Sequence, residues 1–425
     1  MSRRAGDAAD RSSRSVIPSV PRTVGSARVS VSAEQCELPA RARVLHVAQP
    51  VEGGVARVVT DLVRAQCADG MDVRLACPPD GTLGEQASRH GAFVHEWYAG
   101  RAPGPALRAE TAGLRRVIDA VRPQLLHLHS AKAGLAARLV VRGALPTVFQ
   151  PHAWSFEAAG GPVGAFARHW ERYAARWTDR LLCVSEAERR TGEQAGVRGA
   201  FSVLPNGVDL TAFRPEGGRY AYGDGAPLVV CVGRLCRQKG QDVLLRAWPA
   251  VREAVPGARL VLVGDGPDEA ELRQQAGEGV AFVGAARDCA RWYRAADLVV
   301  LPSRWEGMAL APLEAMACGR ALVLTDTGGA RESLPDAALP YSLVPPEEPG
   351  ALTAALTRLL RAPALRVDLA AVGLAHVRAR HDVRRTARAV SALYGALLAR
   401  TPRTTPPGPR GTTAGTRPPR ESMTS

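Results

Sequence analysis

Residues 297–332 read DLVVLPSRWEGMALAPLEAMACGRALVLTDTGGARE. The run from Asp297 to Leu301 is short and apolar, as a strand buried on both faces must be. A loop carrying Glu306 follows. Pro312 favours the first position of a helix, which places Glu314 in that helix's first turn and Gly319 at its C-terminal stop. A second apolar strand, Ala321–Thr325, leads to Gly328, Gly329 and Glu332. Two carboxylates and a helix N-terminus therefore converge at the C-terminal ends of adjacent strands. In an open α/β sheet that edge receives a nucleotide or its sugar.

The same alternation extends outward in both directions. Upstream, Val44–Ala48, Val73–Cys77, Ala92–His95, Leu125–His129, Thr147–Gln150 and Leu181–Val184 are short apolar runs separated by helical stretches such as Ala106–Val121 and Gly164–Trp177. Residues 214–227, rich in Gly and Pro, read as a linker. The rhythm then restarts with Leu228–Val232, Leu260–Val263, Val280–Val283, Leu298–Leu301 and Ala321–Leu324. The fold class is α/β, with two tandem Rossmann-like domains facing across a cleft. The expected boundaries are a disordered tail over 1–40, a first domain over 41–215, a second over 225–400 and a disordered tail over 401–425. Arg384–Arg400 is a final amphipathic helix among the closing helices of the second domain. The pattern leaves open which domain it packs on.

At 425 residues with 46% hydrophobic content, the chain is too long for one ordinary core. The eight cysteines are scattered without C-x-x-C pairing or metal-ligand spacing, which reads as buried reduced thiols in a cytoplasm. No run reaches membrane-span length. The net charge of +14 comes from arginines spread over helix faces and tails, without the aromatic–basic interleaving of a nucleic-acid surface. The arginines read as solvated surface charge and no specific nucleic-acid partner is expected; peripheral contact with the inner face of an anionic membrane stays open. Of 55 Lys plus Arg only two are lysine, Lys132 and Lys239, leaving 53 arginines. Where Lys persists against that bias, a compact ammonium is required.

Arg234 ends the first strand of the second half, and Lys239-Gly240 opens the next helix. Two cations at a strand–loop–helix junction can share one anionic group, and the helix dipole adds to them. Glu306, in a Gly-flanked loop, can accept hydrogen bonds from sugar hydroxyls. Gly53 and Gly54 after the first strand let a ligand approach the backbone closely. His152 at a strand end is either a packed residue or one that faces the cleft. His127 and His129 alternate on one strand, and a third metal ligand at sensible spacing is not evident. Asn206-Gly207-Val208-Asp209 reads as a structural turn at the domain exit.

Taken in order, Gly53-Gly54, His152, Val184-Ser185, Asn206-Gly207-Val208-Asp209, Gly233-Arg234, Lys239-Gly240, Gly264-Asp265-Gly266-Pro267 and Glu306-x7-Glu314 resemble the retaining glycosyltransferases of family 4 (glycosyl transferases group 1), over about residues 43–395. The resemblance implies the GT-B fold and an enzyme moving a hexosyl group from a nucleoside-diphosphate sugar to a glycan, lipid-linked or small-molecule acceptor. It implies that Arg234 and Lys239 hold the donor diphosphate, so that no metal or other cofactor is needed. Glu306 would bind the donor sugar, Glu314 the ribose, and the amides of Met308, Ala309 and Leu310 the sugar and phosphate. His152 would reach the sugar from the first domain, and Gly54 would admit the diphosphate. No protein nucleophile is assigned. The loops Trp97–Ala106 and Trp154–Gly164 would shape the acceptor site. The chain departs from the family at Glu-Gly-Met-Ala-Leu-Ala, where many relatives carry Glu-Gly-Phe-Gly-Leu, and at Gly-Gly-Ala-Arg-Glu in place of Gly-Gly-x-Pro-Glu.

Two other readings compete. A nucleotide-sugar epimerase on the same fold would need acid/base residues beside the sugar. A basic membrane- or nucleic-acid-binding protein would rest on the arginine-rich tails.

Overall fold

The computed structural model describes residues 42–101, 104–222 and 225–399. The two tails expected to be disordered lie outside the described residues. Strands β1 (Arg43–Ala48), β2 (Asp72–Cys77), β3 (Phe93–Glu96), β4 (Leu125–His129), β5 (Thr147–Gln150), β6 (Arg180–Cys183) and β7 (Phe201–Val203) form one sheet. Its order is β3-β2-β1-β4-β5-β6-β7, with every pairing parallel. A second parallel sheet holds β8 (Leu228–Val232), β9 (Arg259–Val263), β10 (Val280–Phe282), β11 (Leu298–Leu301), β12 (Leu322–Thr325) and β13 (Leu343–Val344), in the order β10-β9-β8-β11-β12-β13. The apolar runs are strands because parallel strands are covered by helices on both faces. In each of β4, β5, β11 and β12 every residue is buried. The two-residue β13 carries too little pattern to be read in advance.

Each sheet reverses direction once, between β1 and β4 and between β8 and β11. Neighbouring crossovers there leave to opposite faces, which opens a crevice at the strand ends. Those two switch points place the candidate residues. The loop after β1 leads to Gly53 and the one after β4 to Ser130. The loop after β8 carries Arg234 and Lys239, and the one after β11 carries Glu306.

The chain crosses between lobes twice, side by side. Val208 donates its amide to His381 O (2.8 Å), and Val383 donates to Val208 O (3.1 Å). A Cβ on Gly207 would lie 2.5 Å from the Val383 Cα, so only glycine lets the two crossings touch. After the return, the helix Val383–Leu398 buries Ala387, Val390, Tyr394 and Leu397 against Val44, Leu62, Leu125, Val148 and Leu182 of the first lobe. Grouping residues up to 400 with the second domain therefore needs correction: the apolar stripe of this helix completes the first lobe's core. The linker reading also changes. Tyr220 lies against Trp292 with ring centroids 4.5 Å apart and the rings tilted by 36°, and Arg294 donates to Gly218 O, so the segment lies along the second lobe.

Among the described residues the seven cysteines are free thiols, and no helix is long and apolar enough to cross a membrane. Replacing Gly207 by Ala forces overlap with the returning backbone. The expected loss is about 1–3 kcal/mol of unfolding free energy, read by urea denaturation.

Candidate active site

The loop after β11 is held on three sides. Within the second lobe, Arg304 pairs with both carboxylate oxygens of Asp242 (2.8 and 2.7 Å) and with Glu347 (2.8 Å). The Arg304 amide donates to Gln238 O (2.8 Å). Behind it, a Cβ on Gly328 would fall 1.7 Å from Glu306 O, and the Gly329 amide donates to Gly307 O (2.6 Å). From the first lobe, the Ser185 hydroxyl donates to Gly307 O (3.1 Å) and the Asn206 amide to Met308 O (2.7 Å). Gly307 has no room for a side chain, since a Cβ would lie 3.0 Å from both the Ala153 nitrogen and Glu188 Oε1.

That seating fixes Glu306. Its Oε1 lies 2.5 Å from the Lys239 ammonium and accepts from the Ser303 hydroxyl (2.9 Å). Burial works against the charge on Lys239, yet Glu306 beside it outweighs burial and holds its pKa above the usual lysine value. Lys239 owes its position to Gly240, whose φ is +66° and whose Cβ would collide with Pro302 O. The backbone of Gly233–Leu235 lies against Gly264 and Gly266, where any Cβ would come within 2.1 Å of a carbonyl oxygen. The Gly264-Asp265-Gly266-Pro267 turn is thus the floor of the Arg234 loop. Arg234 is exposed and makes no ion pair among the described residues. Burial and the nearby Arg234 hold the Arg101 guanidinium below its usual pKa, with Glu52 opposing. Arg101 of the first lobe, which sequence reasoning did not single out, therefore shares a neighbourhood with Arg234 and the start of the Gly53 helix.

The helix after this loop runs from Leu310 to Ala317. It does not open at Pro312, and Glu314 is in its second turn. A proline is tolerated at the third position because the first four amides of a helix have no internal partner. Gly319 ends the helix at φ +68°, as expected. Glu314 is buried and accepts from the Tyr293 hydroxyl (2.9 Å). Burial raises its pKa, against the attraction of Arg57. The amides of Met308 and Ala309 make no hydrogen bond among the described residues. Gly53 opens the helix Gly53–Ala68 at φ +77°, and a Cβ on either Gly53 or Gly54 would meet nothing within 4 Å.

Across the crevice, His152 and Ala153 both have left-handed backbones, at φ +55° and +89°. Such strain persists only where surroundings enforce it. Glu188 does so: one carboxylate oxygen accepts from the Ala153 amide (2.6 Å), the other from the Val184 amide (2.7 Å). Glu332 of the second lobe accepts from the amides of Glu186 and Ala187 (2.7 and 2.8 Å), at the positive end of the helix that carries Glu188. Sequence reading gave Glu188 no role, because its partners are backbone amides. Behind His152, His46 joins His127 and His129. These three bring one ring nitrogen each within 4.8 Å of one another, a set that could hold a metal ion. The third ligand missing from the sequence pattern is His46, on the neighbouring strand and 83 residues from His129.

The chain matches the family model described as Glycosyltransferase Family 4 over residues 52–212 and that of Glycosyl transferases group 1 over 226–362. It is 33% identical over 270 residues to the lipopolysaccharide core biosynthesis mannosyltransferase LpcC of Rhizobium leguminosarum bv. viciae, covering 56% of this chain and 75% of that protein. The chain belongs to glycosyltransferase family 4. Another relative is the GDP-mannose-dependent monoacylated alpha-(1-6)-phosphatidylinositol monomannoside mannosyltransferase of Corynebacterium glutamicum. It is 33% identical over 47% of this chain and 58% of its own length. Sucrose-phosphate synthase from Thermosynechococcus elongatus superposes with a TM-score of 0.73 at 23% identity, over 84% of this chain and all of that one. The fold is GT-B, and this family 4 member is a glycosyltransferase.

Burial pushes the pKa of Glu188 in this transferase up to about 7, although the amides of Ala153 and Val184 oppose the shift. Its folded-state pKa lies above the usual 4.5, so the stability it contributes is complete below pH 4.5 and is lost as pH rises to 7. Glu188→Gln does not titrate. Wild type should therefore lose up to about 3 kcal/mol relative to this variant between those pH values, read by urea melts at several pH values.

Proposed function

We propose that this transferase moves a hexosyl group from a nucleoside-diphosphate sugar to a glycan or lipid-linked acceptor, with retention of anomeric configuration and without a metal ion. The observation that carries the reading is the seating of Glu306 against Lys239 at the second sheet's switch point, opposite the strained His152 turn. In this reading the diphosphate lies between Arg234, Lys239 and the free amides at Met308 and Ala309. Those groups stabilise the charge that develops on the leaving nucleoside diphosphate. Glu306 accepts hydrogen bonds from the sugar's hydroxyls, its carboxylate held in place by Lys239. Glu314 takes the ribose. Retention follows if the departing phosphate oxygen deprotonates the acceptor on the same face, so no side chain need act as nucleophile.

The name of the Corynebacterium relative supports GDP-mannose as the first donor to try. The names of these two relatives support a lipid-anchored or lipopolysaccharide-type acceptor. Peripheral membrane contact agrees with the helix Gly161–Ala174, which exposes Val163 and Phe166 beside Arg168. Binding of an apolar and basic face to anionic lipid vesicles, lost in Phe166→Ser, checks that part.

Arg234→Ala and Glu306→Ala should each lower kcat/KM by about 100-fold, with the fold unchanged by circular dichroism. Wild-type rates in both variants would sink the reading. Full activity in excess EDTA, with product anomer assigned by NMR, tests the metal-free and retaining parts. Loss of activity restored by a divalent cation would refute the first, and an inverted product the second.

A further inference from the structure

We propose that Gln66, His46 and His129 form a hydrogen-bonded relay that fixes the tautomer of His152, so that His152 presents an accepting Nδ1 to the crevice and selects a sugar hydroxyl there over a carboxylate. The hydroxyl selection rests on the glycosyl-transfer reading above. The relay itself does not.

Three contacts run in series from the Gly53–Ala68 helix to the crevice. His46 Nε2 lies 2.8 Å from Gln66 Oε1, His46 Nδ1 lies 3.0 Å from His129 Nε2, and His129 Nδ1 lies 3.2 Å from His152 Nε2. The ring planes are nearly parallel along the series, at 13° and then 25°. The centroid separations, 5.3 and 5.5 Å, are what an N–H···N bond plus two ring radii gives. Each bond therefore lies in the planes of both rings, as in a string of imidazoles joined end to end. Gln66, His46 and His129 are completely buried, and burial favours the neutral imidazole over the charged one. The rings are neutral, so each has one proton to place.

With the Gln66 amide oxygen turned to His46 (2.8 Å) and its buried nitrogen left without a hydrogen bond among the described residues, His46 carries its proton on Nε2. His46 Nδ1 is then an acceptor and His129 must donate from Nε2. His129 Nδ1 accepts in turn, and His152 must donate from Nε2. One proton choice at Gln66 propagates through three rings. His152 Nδ1, which makes no hydrogen bond among the described residues, is left as a lone pair. The His152–Ala153 turn abuts Gly307, next to Glu306. A group meeting His152 there must donate a hydrogen bond. A hydroxyl does so, whereas a carboxylate sets two acceptors against each other. His127 stands outside the series: its ring is tilted 39° to His129 and its Nδ1 meets the Tyr394 hydroxyl (2.5 Å).

The test is ¹⁵N-histidine NMR on the full chain without any nucleotide sugar, with resonances assigned by single histidine substitutions. His46, His129 and His152 should each show a pyrrole-type Nε2 and a pyridine-type Nδ1. In Gln66→Leu, His152 should become a mixture of tautomers, and in Gln66→Glu, whose carboxylate still accepts, it should return to the Nε2–H form. A wild-type His152 protonated on Nδ1 overturns the relay even if neither variant folds. So does a tautomer indifferent to Gln66→Leu, or stoichiometric zinc with metal-shifted nitrogens at His46, His127 and His129. Because no donor is added, failure of the transfer reading leaves this result intact. For the selection, calorimetry should find GDP-mannose bound about tenfold tighter than GDP-mannuronic acid. Equal affinities would overturn it.

Discussion

The contact between Lys239 and Glu306 depends on a loop wedged between the two lobes by glycines that leave no room for side chains. Gly307 lies within reach of Ala153 and Glu188, while Gly328 and Gly329 lie against the carbonyls of Glu306 and Gly307. A side chain at any of these positions would push the loop out of the crevice and carry Glu306 with it. The polar bonds from Ser185, Asn206 and Glu332 all cross from one lobe to the other in the same small region. The acid and the ammonium are thus positioned by both halves of the molecule. Neither half alone holds the whole site.

The two lysines of an arginine-dominated chain share one circumstance. Lys239 meets Glu306, and Lys132 meets Glu110 at 2.6 Å, almost entirely buried. Glu110 also accepts from the Gly100 amide (2.9 Å), which ties down the loop that bears Arg101. A guanidinium spreads its charge over a wide fork, and an ammonium concentrates it in a small volume. Confined sites beside a carboxylate suit the smaller cation. In the Lys132–Glu110 pair, loss of one partner would strand a buried charge at a cost of several kcal/mol.

Much of the fold was legible because parallel strands covered by helices are largely apolar, and eleven of the thirteen strands were read from such runs. The pairing of Lys239 with Glu306 was legible in part, since strand ends at a sheet's reversal point are known to meet. Other features were not. Pro312 suggested a helix start two residues late, because proline suits any of the first few positions. Glu188 bonds only to main-chain amides, which have no sequence signature. His46 and His129 sit on adjacent strands, and no spacing rule links residues so far apart. The last helix looked like part of the second lobe only because it follows it.

That last helix has a consequence for biosynthesis. The first lobe's core is not contiguous in the chain: Ala387, Val390, Tyr394 and Leu397 close over Val44, Leu125 and Val148. A polypeptide leaving the ribosome presents the strands of that lobe hundreds of residues before the helix that covers them. The lobe must wait, with an apolar face uncovered, while the second lobe is translated and folds. Its completion is thus coupled to the emergence of residues near 398, and a chain stalled after β13 would carry an assembled second sheet beside an unfinished first.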